Sequence, residues 1–286
     1  MTTPDYVVVG HVTKDVVPGG FVAGGTVTYA GLTAYRLGAR VGILTSAAPD
    51  FDLRQVFPPE VELVVVPSAE TTTFENTYHA HHRRQYLRAV ASTIGPEHVP
   101  DSWRRAPIVH FGPLAREFTP GLFSTFSGDS LRGLTPQGFL RRWDSTGLVS
   151  RIEPPTLNGY LSELDVVVLS EEDVGGDWEI LDQYAAEARM LVVTRGSEGA
   201  ILRRRGARDS AYPAFPTEEV DPTGAGDVFA AAFLIHLRET GDPDDATCFA
   251  NCVASFAVEG PGTTTLPTLE QVRLRRDCGE RRNAEP

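Results

Sequence analysis

The chain is almost without lysine: Lys14 is the only one, and all its other cationic side chains except the histidines are arginines. A phosphate-binding loop of the Walker type needs a lysine directly after its glycines, and no glycine-rich segment here is followed by one. The lysine of the protein-kinase signature is equally absent. The sequence therefore excludes these two ways of binding a nucleotide.

Cysteine, positive charge and long apolar runs are also scarce. Three cysteines in 286 residues give neither a disulfide framework nor a zinc-ligand spacing. The formal net charge of −12 argues against general nucleic-acid binding, which requires a basic face. No apolar stretch approaches the ~20 residues that cross a bilayer, and the N-terminus lacks the features of a secretion signal. We therefore expect a cytoplasmic protein without nucleic-acid or membrane partners.

Short apolar runs alternate with helical patterns along most of the chain. DYVVVG, DVVVL and MLVVT are typical of buried strands, and apolar strands separated by helices predict an α/β fold with a mostly parallel sheet. Residues 137–143 and 157–164 are predicted to be helical. Residues 71–90 contain many β-forming but polar residues, which indicates an exposed hairpin. The end of the chain, 277–286, is predicted to be disordered.

The most informative segment is 221–234, DPTGAGDVFAAAFL. Its small residues Gly224, Ala225 and Gly226 let backbone N–H groups approach a ligand, and the apolar helix that follows adds a partial positive charge. This combination predicts a site for a phosphate or a developing anion. Asp227 is unfavourable there unless it removes a proton from a hydroxyl that attacks phosphorus. The alternative is a glycine-rich turn in which Asp227 caps the helix.

This segment closely resembles the C-terminal signature of the PfkB, or ribokinase-like, carbohydrate kinases. The resemblance implies that Asp227 is the catalytic base and that the amides of Gly224, Ala225 and Gly226 form an anion hole. An aspartate with an ordinary pKa suffices, since the hydroxyl proton is lost late in a loose transition state. The implied architecture is a single ribokinase-like domain over 1–286, a three-layer α/β sandwich with a small β-lid from segments near 11–24 and 71–90.

Other segments resemble the acceptor site of the same family. In that family an early aspartate grips the substrate hydroxyls and a Gly-Gly turn lets the sugar lie against the backbone. Here these features fall on Asp15 and on Gly24 and Gly25. Tyr29 departs from the asparagine of ribokinase, which argues against ribose as the acceptor. The remaining acceptor candidates, two in the lid and one in a TPQGFLRRW element, are Glu75, Arg84 and Gln137.

The resemblance also implies a site for ATP and its metal ions. The residues that match the nucleotide-binding positions are Thr194, Gly196, Gly199, Thr223 and Asn251. Segment 170–173, SEED, replaces the Asn-x-x-Glu of many family members, so Asp173 is the candidate for Mg²⁺. Asp221 resembles part of a monovalent-cation site in some relatives, which makes K⁺ a further candidate.

The implied reaction is ATP-dependent phosphorylation of a hydroxyl on a small sugar or cyclitol. We rank myo-inositol first, because GGTVTYAGLTAYRLG and TPQGFLRRW resemble an inositol-kinase-like branch. A nucleoside kinase of the same family and a non-catalytic ligand-binding relative stay open. A dinucleotide oxidoreductase is less well supported, since no G-x-G-x-x-G follows the first strand. Lid edges join some family members into homodimers, and the sequence leaves the oligomeric state open.

Overall fold

The computed structural model describes residues 3–79, 82–152 and 161–283. The strands are β1 (Tyr6–Val9), β2 (Thr13–Val17), β3 (Gly20–Gly24), β4 (Val41–Ala47), β5 (Glu62–Pro67), β6 (Thr72–His79), β7 (His82–Ala89), β8 (Ile108–Phe111), β9 (Leu131–Leu134), β10 (Arg141–Trp143), β11 (Val149–Arg151), β12 (Val166–Ser170), β13 (Met190–Thr194), β14 (Ala200–Arg204) and β15 (Ser210–Tyr212). The α-helices are α1 (Thr26–Arg36), α2 (Trp178–Glu187), α3 (Ala225–Thr240), α4 (Pro243–Ala257) and α5 (Leu269–Asn283).

A nine-stranded sheet forms the centre of the fold, in the order β15-β14-β13-β12-β9-β8-β1-β4-β5. The neighbours from β13 to β5 run parallel, whereas β14 and β15 are antiparallel at one edge. Parallel neighbours need crossover connections, which explains why apolar strands and helical segments alternate in the sequence. The predicted α/β fold with a mostly parallel sheet is confirmed.

Helical layers cover both faces of this sheet. Because side chains alternate along a strand, Tyr6 and Val8 of β1 pack into the layer that contains α1, α3 and α4. Val7 and Val9 pack on the other side, in the layer that contains α2. Helix α3 contacts both α1 and α4 as well as the sheet, so nearly its whole circumference is buried. Helix α3 is therefore fixed against the central strands β8, β9 and β12.

A smaller sheet, which we call the lid, lies beside the large one. It has the order β3-β2-β6-β7, with β2 and β6 parallel and the other neighbours antiparallel. The predicted lid segments near 11–24 and 71–90 supply its four strands. A two-stranded hairpin of β10 and β11 is hydrogen-bonded to the lid, since the amide of Leu87 donates to the carbonyl of Gly147 at 2.8 Å.

The predicted helix over 137–143 is wrong. The chain makes one 3-10 turn at Gln137–Phe139 and then enters β10, which pairs with β11. The Gly138 amide donates to the carbonyl of Pro113 at 2.7 Å, and a Cβ at Gly138 would overlap that backbone. This close approach holds the segment at the end of β8, where a regular helix cannot form.

Two other sequence predictions concern the ends of elements. Of the helix predicted at 157–164, residues 157–160 lie outside the described residues, and Leu161–Glu163 form a 3-10 turn. Where disorder is predicted after residue 276, α5 continues to Asn283, and 284–286 lie outside the described residues.

Within the described part of the chain, no helix combines the length and apolar character needed to cross a bilayer.

Candidate active site

The first turn of α3 is shaped by Gly224. Gly224 has φ +78°, a left-handed conformation that glycine adopts at little cost, and its carbonyl accepts the first helical bond from Val228 at 3.0 Å. The amide of Ala225 donates to the carbonyl of Pro222 at 3.2 Å, whereas a Cβ at Gly226 would meet no atom within 4 Å. A ligand at this helix start would therefore rely mainly on the amides of Gly224 and Gly226.

The ring of Tyr29 packs directly against Gly224, and a Cβ on Gly224 would overlap it. Tyr29 is buried, and its pKa is held well above the usual range by loss of hydration and by the negative charges of Asp15, Asp221 and Asp227. The structure thus gathers three predicted site carboxylates around one aromatic ring. Asp15 lies on β2, far in sequence from Asp221 and Asp227 around the start of α3, and the contact between α1 and α3 places Tyr29 near all three.

Asp227 lies in the first turn of α3 and is partly buried. Loss of hydration raises the pKa of its carboxyl to about 7, against a lowering by the hydrogen bond from Thr26. The charge of Asp173 raises this pKa further and that of Arg141 lowers it. The pKa of Asp227 is therefore higher than the ordinary value expected from the sequence, because the effect of burial outweighs the lowering by Thr26 and Arg141. A carboxylate that titrates near neutrality is well matched to proton transfer.

Asp15 and the Gly-Gly turn meet where the lid joins α1. A Cβ at Gly24 would overlap the Asp15 carboxylate, and a Cβ at Gly25 would lie 2.5 Å from the carbonyl oxygen of His11. Gly25 has φ +91°, and the Thr13 hydroxyl donates to Asp15 at 3.1 Å. Glycine is required at both positions of the turn, and the predicted pairing with Asp15 exists in the structure.

A cavity of about 580 Å³ opens between the lid, the hairpin and the end of β12. Its charged and amide-bearing lining residues are Arg84, Gln85, Gln137, Arg141, Arg151, Glu172 and Asp173. Nη1 of Arg141 donates to Oε1 of Gln85 at 3.2 Å, which joins the hairpin to the lid across the cavity. Glu75 instead pairs with Arg88 at 2.7 Å on the lid surface, so the structure does not bring it to this cavity.

Three of the predicted nucleotide-binding residues, Asn251, Gly199 and Thr194, contact the backbone of other segments. The Asn251 side-chain amide donates to the carbonyls of Tyr212 and Pro213, each at 3.1 Å. Gly199 approaches the same backbone so closely that a Cβ there would overlap it. The Thr194 hydroxyl donates to Leu169 at 3.4 Å, and Gly196 has open space beside it. Asn251 and Gly199 therefore fix the exit of β15 against α4 and β14.

Both predicted metal-binding acids also hold the main chain. One oxygen of Asp173 accepts the amide of Ser170 at 2.9 Å. The two oxygens of Asp221 accept the amides of Thr223 at 3.0 Å and Gly262 at 3.2 Å. Among the described side chains there is no group of three or more acids, histidines or cysteines arranged around one metal position.

Mg²⁺ is commonly held by one or two carboxylates together with substrate phosphates. Asp173 and Glu172 line one cavity and suit that kind of site. The side chains that the structure describes do not form a cage made of protein ligands alone. A magnesium ion here would therefore need the phosphates of a bound donor to complete its coordination.

Sequence reasoning missed Thr26 and Arg151. Thr26 follows the Gly-Gly turn directly and donates its hydroxyl hydrogen bond to Asp227, some two hundred positions later in the chain. No local sequence pattern predicts that contact. Arg151 enters the cavity because β11 pairs with β10, and residues 137–143 were predicted to be a helix. If residues 141–143 had been predicted to be a strand, their pairing with 149–151 would have placed Arg151 opposite Arg141.

Comparison with known proteins bears on this site. The profile of the pfkB family carbohydrate kinases matches residues 162–270, which include Asp173, α3 and α4. A cytidine kinase from Thermococcus kodakarensis is 29% identical over 252 residues, which cover 80% of this chain and 87% of that protein.

Two solved structures share the architecture. A pyrophosphate-dependent kinase in the ribokinase family, complexed with a pyrophosphate analog and myo-inositol, aligns with a TM-score of 0.75 and 25% identity, over 96% of this chain and 99% of that one. The Arabidopsis thaliana ribokinase complexed with ribose and ATP aligns with a TM-score of 0.72 and 19% identity, over 96% of this chain and 99% of that one. The second likeness bears on the fold alone.

Proposed function

Since this chain belongs to the PfkB, or ribokinase-like, family of carbohydrate kinases, we propose that it transfers the γ-phosphoryl group of ATP to a hydroxyl of a small polyol or sugar. The observation that carries the proposal is the position of Asp227. A carboxylate with a pKa of about 7 lies in the first turn of α3, directly after Gly224 and Gly226, and the space beside Gly226 is open. The proposed proton acceptor and an anion-binding helix start thus lie in the same turn of the chain.

The proposed reaction is an in-line displacement at phosphorus. As the acceptor oxygen attacks, its proton passes to Asp227, the new oxygen–phosphorus bond forms, and the bridging bond of the donor breaks so that ADP leaves with the electron pair. The amides at the start of α3 stabilise charge on the transferred group. Asp15 and the backbone at Gly24 and Gly25 would orient the acceptor. Positioning and electrostatics supply most of the acceleration in such transfers.

On the donor side, Thr194, Gly196, Gly199, Thr223 and Asn251 remain the proposed nucleotide-binding residues. Mg²⁺, when bound by Asp173 and Glu172 with the donor phosphates, would neutralise phosphate charge. Asp221 is the proposed contact to K⁺, through the loop that it holds closed. Such a metal site would form fully only with the donor present.

For the acceptor we rank myo-inositol first, as the inositol-kinase-like resemblance suggests, and Arg84 and Gln137, which line the cavity, stay proposed contacts. Glu75 is no longer proposed, because it pairs with Arg88 away from the cavity. A nucleoside is the second candidate, and a specific observation favours it: the similarity to a cytidine kinase extends over 80% of this chain. We also propose a cytoplasmic location, because ATP and small polyols are metabolites of the cytoplasm. Turnover of any of these acceptors would contradict a non-catalytic ligand-binding role.

The decisive test is an ADP-release assay over inositols, pentoses, hexoses and nucleosides, with ATP and Mg²⁺. We expect turnover with one acceptor class, and the product should be a phosphate monoester by ³¹P NMR. Parallel reactions with pyrophosphate in place of ATP examine the donor, because one of the solved kinases described above is pyrophosphate-dependent. Tight acceptor binding with no phosphoryl transfer from either donor would establish the binding protein and refute the kinase.

The pH dependence of activity should report the titration of Asp227. We expect kcat/KM to fall about tenfold per pH unit below about 7, because the protonated carboxyl cannot accept the hydroxyl proton, and to level off above it. Thr26→Val removes the hydrogen bond that lowers this pKa, so the inflection should move to higher pH. Donor phosphates titrate in the same pH region, but the substitution Thr26→Val does not change their pKa. An inflection that stays at the same pH in Thr26→Val would therefore contradict its assignment to Asp227.

The homodimer is proposed to form through the lid. Strand β3 is the outer strand of the lid, and the large exposed apolar side chains of this sheet are Val16, Val17, Phe21 and Val22. An unpaired apolar edge favours strand pairing with a second copy about a two-fold axis. We expect the wild type to be dimeric by light scattering and Val16→Glu to be monomeric.

Val65→Glu is the matched control for that measurement. Val65 is 39% exposed on β5 and Val16 is 40% exposed on β2, so the two substitutions add the same charge to equally accessible strands. Val16 lies opposite Phe21 and on the lid face away from Asp15, so the acceptor side is unchanged. A monomeric wild type, or loss of the dimer in both variants, would contradict the proposed interface.

A further inference from the structure

Two ion pairs join the neighbouring strands β12 and β13, one at each end. Asp165 and Arg189, which directly precede these strands, pair at 2.9 Å. Glu171 and Arg195, which directly follow them, pair at 3.1 Å. Because the strands are parallel and in register, the second pair lies at the carboxyl edge of the sheet and the first at the opposite edge. In open α/β sheets, ligands bind beyond the carboxyl ends of the strands.

The two turns at the carboxyl edge are each closed by their own hydrogen bonds. After β12, Asp173 accepts the amide of Ser170 at 2.9 Å, and the Ser170 hydroxyl accepts the amide of Glu172 at 3.2 Å. After β13, the amide of Arg195 donates to the carbonyl of Gly199 at 2.8 Å. The first turn carries the proposed magnesium contacts and the second carries two of the proposed nucleotide contacts. Each turn has a fixed shape, so the position of one against the other decides how both meet a ligand.

The carboxylate of Glu171 is held on both of its oxygens. Oε2 accepts from Nε of Arg195 at 3.1 Å, and Oε1 accepts from the indole N–H of Trp178 at 3.1 Å. The Arg195 guanidinium also pairs with Glu198 and lies 5.8 Å from the centre of the Trp178 ring. The side chains of Arg195 and Glu171 are 28% and 30% exposed, so water screens this network less than it screens a fully exposed pair.

This network thus connects two turns that have different proposed ligands. The paired register of β12 and β13 ends at Ser170 and Thr194, directly before the ion pair. Mg²⁺ demands near-ideal octahedral geometry. A metal ion shared by Asp173 and the donor phosphates therefore tolerates little displacement between the turns. A shift of one turn should weaken binding of the metal-bound donor more than binding of the donor alone.

We propose that Glu171 and Arg195 are positioning residues for the donor. Their ion pair holds the turn after β12 against the turn after β13, so that the metal contacts and the nucleotide contacts engage one ligand together. Neither side chain has to touch the donor, because the effect passes through the two turns. The inference rests on the proposed kinase function and adds two residues that are not among the predicted site residues.

The test is the coupling between magnesium and donor, measured by calorimetry without turnover. The probes are the non-hydrolysable β,γ-imido analogue of ATP and, as an analogue of pyrophosphate, methylene diphosphonate. The coupling is the dissociation constant without Mg²⁺ divided by the dissociation constant with Mg²⁺. We expect Arg195→Gln to reduce this ratio about tenfold, since coupling between two ligands commonly amounts to about 5- to 150-fold.

Arg189→Gln is the matched control, because it makes the same change in the ion pair at the other end of the same two strands. It should leave the ratio as in the wild type. Thermal unfolding verifies that each variant is folded.

Glu171→Gln separates positioning from simple charge. It removes a negative charge beside the donor site, which alone would strengthen binding of an anion, yet it should reduce the ratio as Arg195→Gln does. If the two residues act as one pair, the double variant should have the ratio of either single variant.

Three results would overturn the positioning role and leave the kinase assignment intact. These are a wild-type ratio near one, a ratio unchanged in Arg195→Gln or equally reduced in Arg189→Gln, and effects of Glu171→Gln and Arg195→Gln that add. If the wild type binds neither donor analogue, the proposed kinase function is refuted, and the positioning role with it.

Discussion

Replacing Asp227 by asparagine will reduce kcat by a factor of about 10² to 10⁴, the usual contribution of a general base. Asparagine has nearly the same volume and accepts the hydrogen bond from Thr26, but it cannot take up the hydroxyl proton. Acceptor affinity should change little, because the proton moves only during the reaction. The measurement is steady-state kinetics together with calorimetric titration of the acceptor.

Glu239→Gln is the matched control for this variant. Glu239 is exposed near the other end of the same helix, so the chemical change is identical but distant from the cavity. It should leave kcat and the unfolding temperature as in the wild type. If Asp227→Asn retained more than about a tenth of wild-type kcat, the carboxylate would not be the base, and the proposed mechanism would be wrong.

Gly224→Ala is expected to cost both activity and stability. The new methyl group would overlap the ring of Tyr29, and φ +78° is a left-handed conformation that alanine adopts only with strain. Strain and overpacking together should lower the free energy of unfolding by about 1–3 kcal/mol. Displacement of the helix start should reduce kcat by a factor of about 10² to 10³, as loss of an oxyanion donor does.

Gly226→Ala serves as the comparison for that prediction. A methyl group there would meet no atom within 4 Å, and Gly226 is not among the positive-φ glycines. The loss of activity should therefore be much smaller than in Gly224→Ala, with no drop in the unfolding temperature. Equal losses in the two variants would show that the packing of Tyr29 on Gly224 does not position the proposed anion hole.

Local patterns in the sequence determined the architecture and predicted the carboxylate that we propose as the base. Alternating apolar strands and helices predicted the parallel sheet, since a strand buried on both faces must be apolar along its whole length. The DPTGAGD segment predicted a glycine-shaped helix start with a carboxylate in its first turn, and Gly224 and Asp227 are placed there. Both features depend on neighbours in the chain, which is why a single sequence contains them.

Contacts between distant segments decided the rest. The pKa of Asp227 depends on its burial and on Thr26, Asp173 and Arg141, which three other parts of the chain contribute. The opposition of Arg141 and Arg151 exists only because 141–143 pairs as a strand, where helical periodicity was predicted. Residue types fix which charges a chain carries, but hydration and distance set their energies, and only the folded arrangement determines those.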